Sequence, residues 1–266
     1  MAIALQHVLS RPGALVLAVA VPVALSMVYL VHVDAHLTSH TTVISGRRQS
    51  SIAAPQQPRD PTSLDLDLDQ PDLVVVYERV ESSPVPASRL VHPLPGSSSR
   101  ARGAAASPLL HGYTRAVHRA FGLSPQALLL RALTRNGETR STFASAYIDQ
   151  LPLCRGQLVN GVYAISSLES PDALGSERVE MSIQVPAPWP SVDGLVVAAI
   201  EPVSPRAWDA EEPVDDVIFV NETWMWRRVH DGPTLLETRL GGWFHSRLSA
   251  WLVLRGMAAV VKANKQ

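Results

Sequence analysis

Between Val217 and Val229 the chain reads VIFVNETWMWRRV, and this stretch constrains the fold more than any other. β-Branched and aromatic side chains fit a pleated surface, so it predicts a long strand. Asp231-Gly232-Pro233 stops it, and Thr234 to Leu240 is expected to return as a shorter hairpin partner. After Gly241-Gly242 the period changes. Trp243, Phe244, Leu248, Trp251, Leu252 and Met257 recur at helical spacing, with Arg247 and Arg255 on a narrower polar edge. The expectation is a hairpin closed by one long helix that packs across a sheet.

Upstream, Asp72 to Val80 (DLVVVYERV) is a further strand. Ser107-Pro108 supplies a cap with proline at the first helical position, and Leu110, Tyr113, Val117 and Phe121 follow at helical intervals. Gly122 ends this helix; Ser124-Pro125 opens a second through Leu133. The period then falls to two. The expected strands are Thr139 to Ile148, Gln157 to Leu168, Glu177 to Val185, Val192 to Glu201, Val217 to Val229 and Thr234 to Leu240.

The N-terminus carries a separate feature. Pro12 to Val31 holds no charged residue, and at about 1.5 Å per helical residue it matches the hydrocarbon thickness of a bilayer. We read residues 1–40 as a single-pass membrane anchor with its flanks; a cleavable signal peptide ending near Val33-Asp-Ala35 is the competing reading. Arg11 before the span and Arg47 and Arg48 beyond it leave orientation and organelle open. His32, His36 and His40, spaced by four, would share one helix face, but a metal site needs partners this Thr/Ser-rich stretch lacks. Residues 41–71 read as a disordered linker and 72–266 as the folded domain, with a mobile Pro/Ser/Gly-rich insertion at 81–106.

Composition excludes several classes. A net charge of −1 argues against a nucleic-acid binder, and the single cysteine, Cys154, rules out an intrachain disulfide or thiolate metal cluster. Gly-rich phosphate loops, a G-x-S-x-G elbow and H-E-x-x-H are all absent from the sequence, so neither a nucleotide cofactor nor a metal is expected.

The order of strand, two helices, six strands and one long C-terminal helix over Leu73 to Asn264 resembles the helix-grip fold of the START-like superfamily. That superfamily includes lipid-transfer domains and polyketide cyclases. The resemblance is one of element order and implies an α+β domain whose curved antiparallel sheet grips a cavity under the last helix. It further implies a hydrophobic small molecule or lipid as ligand, and cofactor-free cyclisation of a polyketide or polyene intermediate in secondary-metabolite biosynthesis. The alternatives are a non-catalytic lipid carrier or a membrane-tethered assembly subunit.

Candidate residues follow from strand and helix parity. One face of the strand from Val217 carries Glu222, Trp224 and Trp226; in a cavity, desolvation would make Glu222 a general acid or base. Tyr147 and Tyr163 fall on expected strands and could donate to a substrate carbonyl. Trp224, Trp226, Phe244, Leu248 and Trp251 are the expected apolar ligand contacts. Arg115, His118 and Arg119 are placed on the polar side of the first helix, and His245 opens the last one as an acid-base candidate with no visible partner. Asn221-Glu222-Thr223 is a glycosylation sequon, expected to matter only outside the cytoplasm.

Overall fold

The computed structural model describes residues 31–48, 58–63, 70–94, 106–169, 175–185, 192–203 and 216–263. The chain divides into two compact units, Met1–His40 and Thr41–Gln266. Residues 31–40 of the first are helical, and the rings of His36 and His40 meet edge-on at 4.7 Å. The rest of the expected membrane span lies outside the described residues. Among the described residues, no helix is long and apolar enough to cross a membrane, and no group of His, Cys, Asp or Glu side chains could hold a metal ion.

The second unit is α+β, a large antiparallel sheet with a long C-terminal helix packed on it. Its strands are β1 (Thr41–Arg47), β2 (Leu73–Ser82), β3 (Val85–Pro86), β4 (Leu158–Val159), β5 (Tyr163–Glu169), β6 (Glu177–Ile183), β7 (Gly194–Pro202) and β8 (Asp216–Arg228). The helices are α1 (Pro108–Phe121), α2 (Pro125–Leu133), α3 (Gly137–Ser141), α4 (Ser145–Asp149) and α5 (Arg239–Val260). Sheet order is β1-β2-β8-β7-β6-β5-β4, with β3 pairing β8. The long apolar strand read from the sequence is therefore central, bonded to β2 along one edge and to β7 along the other.

Alternation on β8 divides the core. Phe219 meets the Tyr113 ring of α1 at 5.1 Å, and Thr223 reaches His245 of α5, so the odd-numbered side chains face the helices. Val220 and Trp224 point the other way and join Val75, Tyr77, Leu195, Val197 and Ala199 in a buried cluster. Both faces of the central strands are thus apolar, not the helix face alone. Helices α1 and α5 cross closely because position 256 is glycine. A Cβ there would lie 2.6 Å from Tyr113 Cδ2 and from Val117 Cγ2.

Several segments differ from the sequence reading. Thr234 to Leu240 is not a strand: Leu235–Glu237 forms a 3-10 turn and α5 starts at Arg239. Glu237 Oε2 accepts from Thr234 N at 2.9 Å, and Thr238 Oγ1 accepts from Gly241 N at 3.1 Å. These satisfied backbone donors outweigh a short alternation. Arg227 Nε, 2.6 Å from Glu237, holds that carboxyl down to about 2. Thr139 to Ile148 forms α3 and α4 instead of a strand, because Asn136 Oδ1 accepts from Glu138 N at 2.8 Å and caps a new helix. Gln157 to Leu168 splits into β4 and β5 around Asn160 and Gly161, whose φ angles of 48° and 70° make the turn.

The linker reading is corrected as well. Thr41–Arg47 is an edge strand in register with Val76–Ser82. Thr62 N and Ser63 N donate to the buried Glu180 carboxylate at 2.8 and 2.7 Å, which fixes residues 58–63 against β6. Within the expected insertion, β3 pairs with Asp216 and Val217 and Leu90 bridges Val261, while residues 95–105 lie outside those described.

Candidate functional site

A cavity of about 60 Å³ lies between the helix-facing side of the sheet and helices α1, α2 and α5. Its apolar walls come from Val117, Phe121, Val196, Leu248 and Leu252. His118, Gln126, Tyr163, Asn221, Thr223, His245 and Ser249 supply the polar part of the lining. The Tyr163 ring packs edge-on to Phe121 at 5.3 Å and lies 5.7 Å from His118; burial pushes its phenol well above the usual range. No hydrogen bond is formed by the Tyr163 hydroxyl or the Asn221 amide among the described residues.

An ordered chain of polar contacts runs back from the cavity wall at Thr223 and His245. Ser246 Oγ donates to Glu78 Oε2 at 2.5 Å, and His245 Nδ1 lies 2.7 Å from Glu78 Oε1. His245 Nε2 lies 3.3 Å from Thr223 Oγ1. A carboxylate accepts, so in a neutral imidazole held this way Nδ1 carries the proton and Nε2 turns its lone pair to the Thr223 hydroxyl. Helix α5 contributes Ser246 and His245, strand β2 contributes Glu78 and strand β8 contributes Thr223. Glu78 is only 4% exposed, so the chain sits where water competes weakly.

The sequence-predicted acid lies elsewhere. Glu222 lines the cavity floor within β8, but alternation sends its carboxylate to the far face of the sheet. There it accepts from Arg79 Nη1 at 2.5 Å, Trp224 Nε1 at 3.0 Å and Arg178 Nη2 at 3.5 Å. It is an ion-pair partner with its oxygens occupied. Trp224 is fully buried on that same face with its ring 5.2 Å from Tyr77, and Trp226 packs partly buried beside it; neither reaches the cavity. A larger cavity of about 640 Å³ also opens on the far face, lined by Arg59, Arg79 and Arg178. Each of these arginines is already paired with a glutamate: Arg59 with Glu169, Arg79 with Glu81, Glu201 and Glu222, Arg178 with Glu180 and Glu222.

No family model, curated protein or solved structure matches this chain. Of the predicted contacts, Leu248 lines the cavity, Phe244 is largely exposed at the start of α5, and Trp251 lies under Arg255, whose guanidinium carbon is 5.6 Å from the ring centre. Tyr147 sits on α4, outside the cavity, and donates to Leu158 O at 2.9 Å. Asn221 is on the cavity floor in mid-sheet, not on a loop where a glycosyltransferase would reach it.

His118 is buried, not on a polar helix side. Its Nδ1 is 2.8 Å from Asn160 Oδ1 and its Nε2 is 3.1 Å from Met181 Sδ, and burial pushes its pKa down to about 4. Arg115 donates to Leu151 O and Arg119 pairs with Asp149. Sequence reasoning singled out His245 but missed Glu78 and Thr223. The only trace was parity: Thr223 shares a strand face with Asn221, and Glu78 interrupts the apolar run of β2.

Proposed function

We propose that this chain is a membrane-anchored protein that binds a hydrophobic small molecule between its sheet and its last helix. Under this proposal residues 12–31 form the anchor and 41–266 a helix-grip-like binding domain. The strand order, with the first long strand bonded to the last and the remaining strands running as a meander, is consistent with that fold. The observation that carries the reading is the mixed lining of the cavity. Leu248, Leu252, Phe121 and Val196 offer apolar contact, while Tyr163, Asn221, Thr223 and His245 converge as the few polar groups that orient a ligand. Such a set suits a carbonyl-bearing polyketide or polyene intermediate and proton transfer during its cyclisation, with His245 in place of Glu222 as the acid-base group. At about 60 Å³ the cavity takes one reacting group of such a molecule.

A second observation favours a carrier. Leu123, Leu128, Leu129 and Leu133 near α2, and Leu240, Trp243 and Phe244 near the start of α5, are exposed apolar side chains. A surface of this kind suits contact with lipid. Native mass spectrometry of the detergent-solubilised full chain, with extraction of co-purified molecules, tests both. A polyene or poly-carbonyl compound supports the cyclase, and a mixture of membrane lipids supports the carrier. An empty protein that also fails to bind the fluorescent probe anilinonaphthalene sulfonate overturns the binding proposal.

A further inference from the structure

We propose that Thr223 is a nucleophile, activated by His245 and positioned through Glu78, and that the cavity takes the acyl group of an apolar ester or thioester. The inference rests on the cavity being a ligand site, and it names the substrate class and the reacting atom. Nucleophilic catalysis by a hydroxyl needs three things in order: a hydroxyl within reach of a base, a base held in one tautomer, and an open side on which a carbonyl can sit. Thr223 Oγ1 lies 3.3 Å from His245 Nε2, and Glu78 lies 2.7 Å from the opposite ring nitrogen. Ser246 and Ser249 add contacts to Glu78 and to His245 Nδ1, so the imidazole is held from both the strand and its own helix.

The cavity supplies the open side. Thr223, His245 and Ser249 all line it, as does Asn221, two residues back on the same strand face, about 6.8 Å along β8. The Asn221 amide, uncommitted among the described residues, is the donor available to a carbonyl oxygen that becomes negative in the tetrahedral adduct. A volume of about 60 Å³ holds a short acyl group or the carbonyl end of a longer one, which selects for reaction at that end.

The steps balance without any cofactor. Thr223 Oγ1 bonds to the carbonyl carbon while its proton passes to His245 Nε2. Collapse of the adduct breaks the carbonyl–heteroatom bond, and the leaving alcohol or thiol takes that proton. Water then attacks the acyl-threonine, again giving a proton to His245, which returns it to Thr223 Oγ1 as the carboxylic acid departs. Glu78 touches no reacting atom; it fixes the tautomer and stabilises the imidazolium that forms in each half.

The test uses the detergent-solubilised full chain with p-nitrophenyl butyrate. Expected is a burst of p-nitrophenolate and a butyryl adduct on the peptide that carries Thr223. Thr223→Val and His245→Gln should each lower the burst rate at least about 100-fold, whereas Thr223→Ser should keep the adduct at the same position. Glu78→Gln should slow acylation and alter its pH profile while the adduct still maps to residue 223. Melting curves and anilinonaphthalene sulfonate binding, run on every variant, separate loss of chemistry from loss of fold. No adduct on a wild-type protein that binds the dye, or an adduct that persists in Thr223→Val, overturns the nucleophile and leaves the binding proposal standing. Failure of the dye to bind a protein that carries no co-purified molecule overturns the binding proposal itself.

Discussion

Replacing Glu222 by leucine should destabilise the protein by about 3–5 kcal/mol, and the reason lies on the sheet face away from the helices. Glu222 is 2% exposed and is the one carboxylate shared by Arg79, Arg178 and the Trp224 indole. Without it Arg79 keeps Glu81 and Glu201, at 2.6 Å each, but among the described residues Arg178 retains only Glu180 at 3.4 Å. Arg178 is itself 6% exposed, so the substitution leaves a cation short of partners in a place water reaches poorly. Changing both members of the nearest pair, Arg79→Met with Glu222→Leu, removes charges of opposite sign together; Glu81 and Glu201 are partly exposed and can be hydrated. The double variant should therefore cost less than the sum of the single ones, with a coupling of at least about 1 kcal/mol. Urea unfolding of the detergent-solubilised chain and its three variants gives every corner of the cycle. Additive effects, or a cost for Glu222→Leu below about 1 kcal/mol, would refute the argument and mean that the network is solvated.

The remaining expectations are simpler. His118 is neutral in the fold because burial holds its pKa near 4, whereas the unfolded chain takes up the proton below about 6.5. Its contribution is intact above pH 6.5 and is lost between pH 6.5 and 4. At about 1.4 kcal/mol per pH unit that loss is about 3 kcal/mol, and denaturant titrations of the wild type and His118→Gln should show the slope flattening in the variant. Gly256→Ala places a methyl group against Tyr113 and Val117, and overpacking of about 1–3 kcal/mol should outweigh the gain in helix propensity and lower the melting temperature. Tyr147→Phe removes one hydrogen bond to Leu158 O and should cost about 1 kcal/mol without altering dye binding. Tyr163→Phe, whose hydroxyl bonds nothing among the described residues, should leave stability unchanged and alter the affinity for a carbonyl-bearing probe.

Local chemistry determined much of this protein in advance. Ser107-Pro108 and Ser124-Pro125 start helices as caps do, because a serine oxygen satisfies an otherwise unpaired backbone donor wherever the rest of the chain goes. The run from Val217 could only be a strand, and the period change after Gly242 could only be a helix. Capping also explains the errors: at Asn136 and Thr234 the cap overrode a weak alternation of apolar residues. What the sequence left open was the side of the sheet each residue faces, since alternation gives two sets and no label for either. That was decided by α1 and α5 packing on the face of Phe219 and Thr223. The same choice sent Glu222 into an arginine pair, brought Thr223 and His245 to one cavity wall, and set Glu78 behind His245. Proximity across 167 residues of chain is a property of strand pairing and helix docking, which no local pattern encodes.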